Sequence, residues 1–316
     1  MGPIQNIAVI GAGMMGPGIA QVFAFGGHSV VLYARRPEAL GQAIERVRAN
    51  LKAMAEHEII APEEIEPAIS RIKTTSDLNE ATASAHFVIE SIAEDLALKQ
   101  DFFKRLDSLC PPETILATNT SVMSITEIAQ KSARQERILG THFWNPPHLL
   151  PLVEVVPGEK TATKAMDLTM DLLKAAGKHP VRVNKDVPGF VANRLQHALW
   201  REAISIVERG IAEPAVVDEV IQYSFGIRLP VLGPITNADM GGLDLTLAIH
   251  SYVLKHLEAS PEPSPLLKEK VAKGELGFKT GRGFQDWTPE AMARVRQNLM
   301  EHLLKWTKEQ KALKRP

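Results

Sequence analysis

Apolar residues early in the chain gather in short β-branched runs separated by stretches of helical spacing; beyond residue 190 the strand-like runs stop. Asn6–Ile10 (NIAVI) reads as a buried parallel strand and Ala85–Glu90 (AHFVIE) as a further buried one, and Ser29–Tyr33 (SVVLY), Thr114–Ala117 (TILA) and His179–Val183 (HPVRV) read as strands as well. Between them Ile19, Ala20, Val22 and Phe23, then Leu40, Ile44, Val47 and Leu51, then Phe102, Phe103, Leu106 and Leu109 recur at helical spacing. Ala39–Ile72 reads as one helical excursion, and Thr163–Ala176 as an amphipathic helix. Pro188-Gly189 punctuates the chain, and past it Phe190–Arg209, Pro214–Ser224, Gly241–Leu257 and Pro289–Gln310 are predicted helices. The fold class expected is α/β: a doubly wound sheet domain over residues 1–187, then an all-α domain over residues 188–316.

The first strand runs into Gly11-Ala12-Gly13-Met14-Met15-Gly16 and then a helix. Strand, G-x-G-x-x-G, helix is the context in which this motif signals a Rossmann dinucleotide site. Gly11 serves the tight turn, Gly13 the approach of a pyrophosphate and Gly16 the packing of helix on strand, with Met14 and Met15 in the same loop. The second strand should end at the adenosine ribose, where an NAD site carries an acid; here stand Ala34, Arg35 and Arg36. Guanidiniums grip a 2′-phosphate that an acid repels, so NADP is the expected preference among NAD(P) cofactors. The alternative is that both arginines are solvated ahead of a helix. The Glu90-Ser91 strand end, Glu94 just after it, and Thr118-Asn119-Thr120-Ser121 should reach the ligand edge of the sheet. The second set serves equally as a helix cap or as donors lining a site.

One stretch carries candidate chemistry: Gly140–Val156, GTHFWNPPHLLPLVEVV. Pro146 and Pro147 cannot donate to a ladder, so the chain should leave one strand there and turn back into another, setting His142 across from Glu154. A carboxylate beside an imidazole fixes its tautomer and raises its basicity, as a general base for an alcohol proton requires. A buried structural pair is the other reading. Asn193 lies in the following helix, in a capping or cleft-facing position.

Composition narrows the class. The chain has 316 residues, 45% apolar and 23% charged, with a net charge of −1, which gives no electrostatic reason to bind nucleic acid or an anionic membrane. A single cysteine, Cys110, excludes internal disulfides and favours a reducing, cytoplasmic setting. No metal is expected: His142 and His148 flank two prolines without ligand-like spacing. The tail from Lys311 is basic and expected to fray.

The pieces VIGAGMMGPGIA, IESIAEDLALKQDFFKRL, ILATNTSVMSI, GTHFWNPPHLLPLVEVV, DVPGFVANRL and GFKTGRGF together resemble the L-3-hydroxyacyl-CoA dehydrogenase family over nearly the whole chain. The resemblance implies a Rossmann domain followed by a helical domain that dimerises. It implies catalysis by His142 and Glu154, with Ser121 and Asn193 holding the reacting oxygen, and cofactor contacts from Glu94 and Lys99 beside the glycine loop; Ser91 and Asn119 join these as candidates. Two features depart from the family's pattern: the missing acid at Ala34, and the excursion carrying Glu56, Glu58, Glu63, Glu64 and Glu66 where acyl-CoA members meet CoA. The Asn-Pro-Pro-His loop is similar to that of branches acting on free acids such as carnitine, gulonate or a pyridine carboxylate. A dinucleotide-binding protein without turnover is the remaining alternative.

Overall fold

A computed structural model of the chain describes residues 4–313. Strands β1 (Asn6–Ile10), β2 (Ser29–Tyr33), β3 (Ile72–Thr75), β4 (Phe87–Glu90), β5 (Ile115–Thr118), β6 (Ile138–Phe143), β7 (Leu152–Pro157) and β8 (His179–Arg182) form one sheet. Their order is β3-β2-β1-β4-β5-β6-β7-β8, and every neighbouring pair is parallel except β6 and β7. From β1 the chain winds outward to β3, then returns to lay β4 on the other side of β1. That reversal opens a crevice at the carboxyl ends of β1 and β4, where open α/β sheets take ligands.

The first helices are α1 (Gly16–Phe25), α2 (Pro37–Glu56), α3 (Ile65–Ser70), α4 (Leu78–Thr82), α5 (Leu96–Leu109), α6 (Ile125–Ala129) and α7 (Thr163–Ala175). Alternate strand residues point to opposite faces of the sheet. Ile7, Val9, Val30, Leu32, Phe87 and Ile89 therefore join Phe23 of α1 and Leu51 of α2, while Ala8, Ile10, Val88 and Leu116 join Phe103 and Leu106 of α5 and Ile128 of α6. Helices α8 (Ala192–Glu208), α9 (Pro214–Gln222), α10 (Pro234–Gly241), α11 (Leu243–Val253), α12 (Pro265–Ala272) and α13 (Pro289–Leu313) follow. The chain divides into two compact units: one runs through Asn193 and resumes at Leu299, and the other is Arg194–Asn298. No helix among the described residues is long and apolar enough to cross a membrane.

Several local expectations change. Ile72 opens β3 rather than closing a helix; the strand is an edge of four residues, buried only at its two ends, so it lacks the continuous apolar signature. Phe190 has φ 50, a left-handed conformation that no α-helix accommodates, and α8 accordingly begins at Ala192. The cap of α6 is Ser124, whose hydroxyl accepts from the Glu127 N–H, and not the Thr118–Ser121 segment. Lys311 is no frayed residue: it lies in the last turn of a helix whose end belongs to the first unit, and its ammonium donates to the Ile59 carbonyl at 2.6 Å, while the rest of the expected fraying, over 314–316, lies outside the described residues. Leu304 of the same helix is buried in the first unit's core, and Lys308 pairs with Glu58.

Candidate active site

The antiparallel pairing of β6 and β7 sets His142 directly opposite Glu154. Their side chains meet, Nδ1 to Oε2, at 2.8 Å, and both residues are buried, at 4% and 1% exposure. The other carboxylate oxygen, Oε1, accepts the backbone N–H groups of Val191 and Ala192 at 2.9 and 3.0 Å. Burial pushes the Glu154 carboxyl up, but the bond from His142 and the two backbone donors outweigh it and hold the group below its ordinary value. The left-handed Phe190, preceded by Gly189 at φ 77, makes the turn that aims those two N–H groups. Phe190 and Trp144 flank the imidazole, with ring centroids 5.6 and 5.4 Å away. With Nδ1 committed to Glu154, Nε2 is the imidazole atom left to exchange a proton.

A second constellation stands at the ends of β4 and β5. Glu90, the last residue of β4, is fully buried and accepts from the Lys99 ammonium at 2.6 Å, the Ile92 N–H at 2.6 Å and the Thr118 hydroxyl at 2.7 Å. Lys99 lies 3.3 Å from Glu94 as well. Glu94 in turn accepts from the Thr120 hydroxyl and, at 3.0 Å, from the Ser121 N–H. Burial raises the Glu94 carboxyl, and the Thr120 bond, the Lys99 charge and the Ser121 N–H together bring it below its ordinary value. Asn193 is buried, and its amide donates to the Ser121 carbonyl at 2.8 Å, so the two residues are brought together. Asn119 accepts the Phe143 N–H at 2.9 Å, which fastens the end of β6 beside His142.

The glycine turn closes the arrangement. Gly11 has φ 114 and packs so tightly on Ser91 that an added Cβ would lie 2.4 Å from the Ser91 carbonyl oxygen. At Gly16 the same atom would stand 1.7 Å from the Gly11 oxygen, whereas at Gly13 it would meet nothing within 4 Å. Gly13 therefore presents bare, open backbone, and α1 starts at Gly16 with no side chain capping it, which together fit a dinucleotide pyrophosphate. Met14 is exposed and Met15 half-buried. Ala34 is buried, its N–H on the Thr75 carbonyl, while Arg35 and Arg36 are exposed just beyond the end of β2. Arg46 of α2, a residue the sequence reading passed over, donates to the Ala12 carbonyl at 2.7 Å. Among the described residues no group of three or more His, Cys, Asp or Glu side chains could hold a metal ion.

His148, behind the proline turn, is pushed down to about 4 by burial and by the Lys178 charge. Lys178 is itself lowered by burial to about 8 and donates to the Pro147 and Leu150 carbonyls at 2.7 and 2.5 Å.

Comparison with known proteins bears on all of this. Residues 6–187 match the model of the 3-hydroxyacyl-CoA dehydrogenase NAD binding domain, and residues 189–287 that of the C-terminal domain of the same enzymes. A probable 3-hydroxybutyryl-CoA dehydrogenase of Bacillus subtilis is 42% identical over 285 residues, 90% of this chain and 98% of that one. The 5-formyl-3-hydroxy-2-methylpyridine 4-carboxylate 5-dehydrogenase of Mesorhizobium japonicum is 38% identical over 289 residues, 91% of this chain and 92% of the relative. A crystal structure of a dehydrogenase of that pyridine carboxylate, described as an NAD+ dependent dismutase, superposes with a TM-score of 0.89 at 35% identity, covering 96% of this chain and 97% of the other. The (S)-3-hydroxybutyryl-CoA dehydrogenase of Ralstonia eutropha superposes with a TM-score of 0.76, also at 35% identity, over 90% of this chain and 99% of that one.

Proposed function

The chain belongs to the 3-hydroxyacyl-CoA dehydrogenase family, and from that premise we propose that it transfers a hydride reversibly between NAD(P) and a secondary alcohol or ketone carbon, with His142 and Glu154 as its base pair. The observation that carries this reading is the buried His142–Glu154 contact at 2.8 Å, in a chain whose glycine turn is open at Gly13. The bound dinucleotide supplies the hydride acceptor at its nicotinamide ring. Nε2 of His142 takes the hydroxyl proton, and Glu154, held ionised by three donors, stabilises the imidazolium that results. Ser121 and Asn193 hold the reacting oxygen, which favours the charge developing there. Gly11, Gly13 and Gly16 with Met14 and Met15 cradle the pyrophosphate, and Ser91, Glu94, Lys99 and Asn119 form the floor beyond it. We assign dinucleotide binding to residues 1–187, and substrate binding and dimerisation to residues 188–316.

Two features sharpen the cofactor and the assembly. Arg35 and Arg36, exposed where an acid would select the free 2′-hydroxyl, support a preference for NADP. Tyr223, Val231, Leu247 and Tyr252 of the second unit are 82%, 92%, 69% and 75% exposed, an apolar surface that supports a homodimer through the helical domain. The unpaired, buried Cys110, its thiol pushed up to about 11 by burial, accords with a cytoplasmic setting.

The substrate is a 3-hydroxyacyl-CoA in the leading reading. A free hydroxy acid is the second, favoured by the exposed carboxylates of Glu56, Glu63 and Glu64, which repel the phosphates of CoA; Glu58 and Glu66 on the same segment are paired with Lys308 and Arg48. The deciding experiment measures reduction of acetoacetyl-CoA beside free acetoacetate, and oxidation of the pyridine carboxylate handled by the Mesorhizobium relative, each with both forms of the nicotinamide cofactor. Turnover of the CoA ester supports the first reading and turnover of a free acid alone the second. Absence of turnover on a broad hydroxy-acid and hydroxyacyl-CoA panel would sink both.

A further inference from the structure

A buried charged pair at the end of β4 stands outside the base pair described above. Glu90 is 0% exposed and Lys99 1%, and neither touches His142 or Glu154. Burying a carboxylate and an ammonium together costs several kcal/mol of desolvation per ion, and apolar residues of similar size often hold a fold as well. The pair therefore calls for a reason other than stability. Its connections supply one. Lys99 reaches past Glu90 to Glu94, Glu94 holds the Ser121 N–H, and the Ser121 carbonyl holds the Asn193 amide.

Resting on the function read above, we propose that Glu90 is a positioning residue for hydride transfer: by holding Lys99 in place it sets Glu94, and through Glu94 the backbone of Ser121 and the amide of Asn193. The physical argument is one of competition. Lys99 lies 2.6 Å from Glu90 and 3.3 Å from Glu94, so Glu90 holds the nearer and drier claim on the ammonium. Without the Glu90 charge, the cation has only Glu94 to neutralise it. Glu94 is 39% exposed at its side chain, so its carboxylate has open space in which to turn toward the cation. Oε2 already faces Lys99, and turning the carboxylate further that way withdraws Oε1 from Thr120 and Ser121 and releases the segment that presents Ser121. Thr118 adds a second tie, because its hydroxyl binds Glu90 while its oxygen accepts the Thr120 N–H at 3.2 Å.

The test is a double-mutant cycle on the full-length protein, with Glu90→Gln, Lys99→Met and the pair. Two quantities are read: kcat on whichever substrate the wild type turns over, and backbone hydrogen exchange of the peptide spanning residues 118–124. In the wild-type background Glu90→Gln should lower kcat about tenfold, with KM changed less, and raise exchange of that peptide about fivefold. In the Lys99→Met background the same substitution should change neither by more than about twofold, because the cation through which Glu90 acts is gone. Equal effects in both backgrounds overturn the proposal. So does a lower melting temperature with unchanged kcat and exchange. Should Glu90→Gln not fold, Thr118→Val removes a milder tie and should loosen the same peptide in the same direction; no loosening there overturns the proposal too. The exchange measurement needs no substrate, so a wild type without turnover defeats the functional reading while the cycle still decides the role of Glu90.

Discussion

His142 and Glu154 face each other across the antiparallel ladder of β6 and β7 as a directly opposed pair, and the two backbone donors on the far oxygen of Glu154 come from the residues that open α8. The imidazole–carboxylate pair is thus held from two sides: the ladder fixes the distance, and the turn at Phe190 fixes the orientation of the carboxylate. His142→Ala should lower kcat by about a thousandfold or more while the dissociation constant for NADH stays within about threefold. Glu154→Gln keeps the size and should lower kcat about a hundredfold. Steady-state rates beside NADH fluorescence titrations check both, and a His142→Ala variant with wild-type turnover removes His142 from the mechanism.

Gly13 and Gly16 should separate folding from binding. A Cβ at Gly16 collides with the Gly11 carbonyl oxygen, so Gly16→Ala should destabilise the protein by about 3 kcal/mol or more and abolish dinucleotide binding. Gly13→Ala meets nothing, so its melting temperature should match the wild type while its affinity for NADH falls at least about tenfold. Urea unfolding together with titration tells the two apart; equal affinity in Gly13→Ala would show that the phosphates lie elsewhere.

On the proposed function, Arg35 and Arg36 carry a preference for NADP. Replacing both with alanine should weaken NADPH about tenfold or more and NADH less than about twofold, since only the former offers a 2′-phosphate. Paired titrations decide it. Tighter NADH binding by the wild type contradicts the preference outright.

Acid should act through His148. The native imidazole takes its proton only near 4, while in the unfolded chain it does so near 6.5, so the unfolded state binds more protons across that window. Stability therefore rises with pH between those values, and acidification from 7 to 4 should remove about 3 kcal/mol through this group. His148→Phe, which has no proton to bind, should flatten that part of the curve in urea unfolding at stepped pH. Lys178 works at the alkaline end: its native value near 8 lies below the unfolded 10.5, so stability should rise again over that interval as the buried ammonium is discharged.

Which parts of this were legible beforehand follows from the kind of signal each leaves. The strands β1, β2 and β4 are continuous apolar runs, and the glycine turn has a fixed spacing, so both announce themselves. The opposition of His142 and Glu154 follows from a period of two on either side of a proline turn. Glu90 and Lys99 leave no such trace. Lys99 sits on α5 where a lysine normally reaches solvent, and its partner lies nine residues back across a loop; only the sheet edge brings them together. Arg46 was silent for the same reason, as one cation on a helix rich in charge, with its carbonyl partner on Ala12. Edge strand β3 was missed because half its residues are polar and exposed.

The hairpin of β6 and β7 has a further consequence. Cross-strand contacts in a ladder depend on register and not on how the chain travels between the strands, so the His142–Glu154 distance is set independently of the eight residues from Trp144 to Pro151, which the Lys178 ammonium fastens separately through the Pro147 and Leu150 carbonyls. One side of the imidazole is walled by that loop through Trp144. The chain thus holds the imidazole–carboxylate pair and the wall beside it by separate ties, so a change in one need not displace the other.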